Sequence, residues 1–316
     1  MKNNIYIKNR LRVVVILTFL ILCFHSEAQV KYFILDDSFQ AADVTKYKLN
    51  TNSLYRIDRE ISLFNLITSA STNIGHDGRL NILQDYDIML FAVLPDLSGD
   101  EDWVKINPDT IQKAIVNFEN LKELRNNNIL SFQHNVVNEK TKFFNSYKIV
   151  IKQGDTYYAS KNCLLQFYSV RNRSDFFANI YGRINTVGLA CSILQFEKIF
   201  KSTYPNYEFP IFRIGEGTHS FLDWATDRRE YLSKTLKLKN NSDGYQFWTY
   251  MDWTVPDSSY DIERGIDRFV YLPDKGIIGG SFDFYFYFNR KKLPIKYTDF
   301  LNNIKEEKVM IADDFK

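Results

Sequence analysis

Histidine and carboxylates gather beside glycines in one stretch, Gly215-Glu216-Gly217-Thr218-His219-Ser220-Phe221-Leu222-Asp223. Taken as i and i+4 on a helix, His219 and Asp223 share a face. There an imidazole can act as a base with a carboxylate to orient it, or the two can hold a metal, and Glu216 supplies a further carboxylate. That reading is a secreted hydrolase. A structural reading of the same residues competes with it. Ser220 and Asp223 have the Ser-x-x-Asp spacing of a capping box, in which hydroxyl and carboxylate each satisfy a backbone N–H at a helix start. With Ser220 as cap, His219 falls outside the helix and the shared face disappears. No Gly-x-Ser-x-Gly elbow, P-loop, His-Glu-x-x-His or Cys-x-x-Cys is present. Gly75-His76-Asp77-Gly78 has the residues a turn demands.

The second candidate chemistry is recognition by aromatic rings. The chain has 26 Phe, 20 Tyr and 4 Trp against 13 Gly and 7 Pro, which weights it toward pleated sheet. Read as a strand, Ser281 to Phe288 puts Phe282, Phe284, Phe286 and Phe288 on a core face and Asp283, Tyr285 and Tyr287 on the other. Tyr245 to Trp253 puts Trp248 and Tyr250 on one face, against Phe247, Met251 and Trp253. Tyr285, Tyr287, Trp248 and Tyr250 are either covered or form a binding platform, where rings offer contact area at little rotamer cost. Cys163 and Cys191 can form a disulfide closing a 28-residue loop, stabilising by about 3.5 kcal/mol; as a pair of buried thiols they need no partner. Two cysteines without a nearby histidine make no zinc site, and nothing calls for a cofactor.

The elements that must position these residues follow from periodicity. Val30 to Leu35 reads as a short strand, and Ile61 to Ile67 is an apolar patch of either type. Asp85 to Leu94 reads as a strand whose apolar run, Ile88 to Leu94, is buried on both faces. Asn107 as N-cap, Pro108 at the first position and an apolar stripe from Ile111 to Leu124 predict one helix ending at Asn126-Asn127-Asn128. Tyr147–Lys152, Thr156–Ser160 and Leu164–Val170 are strands joined by tight turns, hence antiparallel. Helices are predicted over Asn185–Phe200 and from Phe221 to about Lys234, with Glu230 and Lys234 as an i,i+4 surface pair. Phe269–Leu272 and Ile277–Phe288 form a hairpin around Pro273-Asp274-Lys275-Gly276, with proline in a type I turn and glycine left-handed. Gly279-Gly280 marks a bulge or a close backbone approach. The fold class is α+β, a mainly antiparallel sheet flanked by a few helices. The polar segment Asn138 to Ser146 is the softest boundary within an otherwise single domain, 29–316.

Residues 1–28 read as an export leader: Lys2, Lys8, Arg10 and Arg12, an apolar run from Val13 to Phe24 broken only by Thr18, and small residues at Ser26 and Ala28. The run is too short for a membrane anchor, which needs about 20 apolar residues. Leu22 before Cys23 argues against lipidation. Cleavage before Gln29 takes 28 of 316 residues, leaving 288 with 36 Lys+Arg against 37 Asp+Glu and only His76, His134 and His219. The mature chain has no basic stripe for nucleic acid and no second span. The composition and the Ala-Gln junction are those of a bacterial exported protein, placed in the periplasm, at the cell surface or outside. The expected role is binding a protein, toxin or glycan, with the hydrolase built on Glu216, His219 and Asp223 as alternative.

Overall fold

A computed structural model describes residues 30–36, 42–69, 86–129, 142–172, 182–214, 230–239, 241–253 and 262–316. The leader, His76, His134, Glu216, His219, Ser220 and Asp223 lie outside them, as do residues 138–141 of the soft boundary.

Three mostly antiparallel sheets stack in layers. The first has the order β5 (Trp103–Ile106), β9 (Thr156–Ser160), β8 (Tyr147–Gln153), β1 (Lys31–Leu35) and β6 (Ile115–Val116), with β1 parallel to both its neighbours. The middle sheet runs β11 (Arg183–Ile184), β10 (Asn162–Val170), β4 (Tyr86–Leu94), β3 (Glu60–Ser69), β2 (Asp43–Asn50), and β7 (Lys142–Phe144) also pairs with β10. The third runs β13 (Tyr231–Lys237), β14 (Asp243–Asp252), β15 (Ile262–Leu272), β16 (Gly276–Gly280), β17 (Met310–Ile311), and β12 (Phe212–Ile214) adds to β15. The fold is therefore sheet-dominated α+β. The middle position explains the continuous apolar run of β4. Met89, Phe91 and Val93 face one core with Phe33 and Ile149, while Ile88, Leu90 and Ala92 face another with Phe269 and Ile277.

Several local expectations hold. Asn107 caps a helix by accepting from the Asp109 N–H at 3.1 Å. Gly276 is left-handed at φ 80°, and a side chain at Gly279 would strike the Met310 carbonyl, so the glycine pair does mark a close approach. Residues 142–144 of the soft boundary are strand β7, paired to β10.

Others are corrected. The helix starting at Asn107 lasts only through α1 (Pro108–Ile111) and a 3-10 turn. Ile115 and Val116 then pair with β1, and α2 (Phe118–Ile129) starts afresh where Asn117 and Asn120 cap each other's backbone at 2.9 and 3.0 Å. The helix expected from Asn185 starts instead at Ser192, as α3 (Ile193–Thr203). The helix expected to reach Lys234 gives way to strand β13, so Glu230 and Lys234 are not an i,i+4 pair; Glu230 is buried. At the hairpin, Asp274 has φ 60°, which a type I turn does not allow. The strand expected through Phe288 stops at Gly280, and Asp283–Phe288 is helix α4; α5 (Tyr297–Lys305) follows.

Candidate functional site

Helix α3 is built for docking onto the third sheet. Ser192 accepts from the Gln195 N–H and Gln195 answers to the Ser192 N–H, a complete capping box at 3.2 and 2.8 Å. The buried Glu307 carboxylate adds a second anchor, accepting from the Ile193 N–H and the Ser233 hydroxyl, both at 2.6 Å. Phe196 then packs edge-on against Trp248 and Tyr231, and Trp248 donates its indole N–H to the Cys191 carbonyl at 2.8 Å.

One flank of this helix remains open. With α5 it bounds a groove of about 310 Å³, floored by Phe209, Ile211 and Phe212 and walled by Glu197 and Glu208 on one side and Tyr297, Leu301 and Lys305 on the other. That volume is in the range of ligand clefts. Seven large apolar residues of the described chain face solvent; six of them are Val187, Leu189, Leu194, Ile199, Tyr207 and Tyr297, all on α3, its flanking loops or the facing helix.

The four aromatic residues expected to bind are placed elsewhere. Trp248 and Tyr250 are fully buried, and the Tyr250 hydroxyl donates to the Pro210 carbonyl at 2.5 Å. Tyr285 is buried and donates to the Pro95 carbonyl at 2.5 Å, while half-buried Tyr287 packs against Phe212, Trp253 and Phe300. None forms an exposed platform; helical winding, not strand alternation, turned Tyr285 inward. Cys163 and Cys191 are both free thiols. Cys163 lies in the core between the first and middle sheets, and burial pushes both thiols up, away from the reactive thiolate.

Sequence reasoning passed over a buried ionic cluster between the middle and third sheets. Arg268 pairs with Asp283 and donates from Nε and Nη2 to the Lys308 carbonyl at 3.1 and 3.0 Å. Asp283 also accepts from the Tyr55 hydroxyl at 2.9 Å, and Tyr55 accepts in turn from the Phe282 N–H. Lys142 pairs with Asp267 at 2.6 Å and lies 3.8 Å over the Phe284 ring. Asp267 Oδ1 has no partner, and burial raises this carboxyl above its ordinary value. It borders a cavity of about 20 Å³, room for one water and no larger ligand. Glu230 is similar: Oε1 accepts from the Gly182 N–H at 2.9 Å, Oε2 has no partner among the described residues, and burial raises the carboxyl to about 8. The signal for these residues was a charge inside an apolar run, such as Asp267-Arg268 between Ile266 and Phe269.

Among the described residues no three of His, Cys, Asp and Glu gather to hold a metal, and no helix is long and apolar enough to cross a membrane. No protein family, curated protein or solved structure matches the chain. The groove between α3 and α5 offers an apolar floor beneath the Glu197 and Glu208 carboxylates and the Lys305 ammonium.

Proposed function

We propose that the chain is an exported, non-enzymatic binding protein that takes a protein ligand on the face formed by α3 and α5. The observation that carries this reading is the open groove between the two helices, floored by Phe209, Ile211 and Phe212 with the Tyr297 ring exposed at its margin, since accessible apolar surface marks interaction sites. The groove favours a protein over a glycan. Its floor is Phe and Ile, suited to apolar side chains, and Glu197 and Glu208 suit a neighbouring basic group. A toxin to be neutralised is one such ligand.

The test exposes immobilised mature protein to proteins of its own export compartment, beside a Tyr297→Asp, Leu301→Asp variant with an unchanged melting temperature. A specific partner retained by the parent and lost at least tenfold by the variant is expected; equal retention rejects the surface. Sequencing of the exported chain is expected to begin at Gln29.

The competing reading, a hydrolase built on Glu216, His219 and Asp223, draws support from Glu230. This buried acid has an oxygen unpartnered among the described residues and a raised pKa, as catalytic acids do, and stands seven positions past Asp223. Hydrolytic activity abolished by His219→Ala, with folding intact, replaces the binding reading by this one.

A further inference from the structure

The middle sheet ends in a strand with an open side. β2 (Asp43–Asn50) pairs with β3 along its whole length, and among the described residues no strand or backbone hydrogen bond occupies its other edge. The other sheet margins differ. β5 has four residues, β6, β11 and β17 have two each, and the outer side of β13 already receives the Cys191 N–H on the Leu232 carbonyl at 2.7 Å. At about 3.4 Å per residue, β2 offers some 27 Å of backbone donors and acceptors. An exposed edge of this length is a template for a further strand.

The two faces of β2 decide what can be added. Toward the third sheet, Thr45 and Tyr47 both donate their hydroxyls to the Lys275 carbonyl, at 2.9 and 3.1 Å, so this face is committed. On the opposite face Lys46 and Lys48 are exposed. Lys48 reaches Glu60 at 2.6 Å in a pair open to solvent, and among the described residues Lys46 has no carboxylate partner. A second copy pairing antiparallel about Tyr47 would set Lys46 against Lys48 in both directions, and like charges directly opposite one another destabilise a sheet. A segment with carboxylates at every second position would meet the same lysines favourably.

We infer that the β2 edge takes an extended segment of a partner protein as an added strand, with acidic side chains at alternate positions opposite Lys46 and Lys48. Main-chain hydrogen bonds supply the attachment and the lysines choose the sequence. This surface lies on a different element from the α3 and α5 groove.

The probes are two eight-residue peptides, one alternating valine with glutamate and one alternating valine with lysine, added to the mature protein. The glutamate peptide is expected to bind, to slow amide exchange within residues 43–50, and to outcompete the lysine peptide. Lys46→Glu, a change on an exposed side chain, is expected to weaken it at least tenfold and reverse the preference. Leu301→Asp is expected to leave it unchanged, which separates this edge from the groove between α3 and α5. Absent binding, protection confined to other residues, or indifference to Lys46→Glu overturns the inference. So does a dimer by sedimentation whose 43–50 amides are protected without peptide.

Discussion

On one side the middle sheet meets the first through Phe64, Met89, Phe91, Leu165 and Phe167 against Phe33 and Ile149; on the other it meets the third through aromatics wrapped around Lys142, Asp267, Arg268 and Asp283. Both contacts exclude water, by different means. The first contact is held mainly by area and shape, which neighbouring packings can also satisfy, beside one buried carboxylate, Asp87, paired with Arg125 and Arg171. The ionic side is held by groups whose desolvation is offset only when each partner is in place, so it admits far fewer arrangements of the two sheets. Apolar burial holds both interfaces, and the Lys142–Asp267 and Arg268–Asp283 pairs add a demand on alignment to the second.

The strongest way to break this comparison is to remove one charge. Arg268→Met strands the Asp283 carboxylate and leaves the Lys308 carbonyl without its donors, and is expected to cost about 5 kcal/mol in urea unfolding. Adding Asp283→Leu is expected to recover part of that loss; a double variant as unstable as the sum of the singles contradicts the pairing argument. On the apolar side Phe91, stacked on Phe33 at 5.6 Å, is expected to lose about 4 kcal/mol as Phe91→Ala but less than about 1.5 as Phe91→Leu. Arg268→Lys, equally conservative by size, is expected to cost more than Phe91→Leu. If it does not, the two interfaces are not different in kind.

A smaller effect sharpens the contrast through pH. Glu230 joins β13 of the third sheet to the Gly182 turn beside the middle one, and its carboxyl titrates near 8 when folded against 4.5 ordinarily. Between those values the folded chain retains a proton that the unfolded chain releases. Stability is therefore highest at the acid end of this window and falls as pH rises, by at most about 1.4 kcal/mol per pH unit. Asp267, also raised by burial, acts in the same direction starting near its ordinary value of 3.8. Melting curves from pH 4.5 to 8 are expected to show the decline, and Glu230→Gln to flatten most of it.

What was legible in the sequence follows the same division. Strands held by apolar periodicity, such as β4, β8, β9 and β10, appear where the pattern puts them, because burial on one or two faces leaves a repeat of two or an unbroken run. Phe282 to Phe288 misled because aromatic residues fill every position except Asp283, and such a run fits strand and helix alike. What decides it is Asp283 reaching Arg268 and Tyr55, a contact across 15 and 228 residues that no local pattern contains. Glu230 is a parallel case: its i,i+4 spacing to Lys234 suggested an exposed helix, whereas a buried turn from Gly182 claims the carboxylate. The groove between α3 and α5 was hidden for a related reason, since it joins residues a hundred positions apart.

The parallel placement of β1 has a bearing on how the chain acquires its shape. The third sheet is assembled largely from neighbours in sequence, with β14, β15 and β16 joined by successive antiparallel pairings. β1 pairs Lys31 with Tyr147 and Phe33 with Ile149, so its place in the first sheet exists only once more than a hundred further residues are at hand. Such distant closures are slow. A chain emerging amino end first thus carries β1 as an unsatisfied strand until nearly half of its length is present, and the first sheet is expected to close only after β8 arrives.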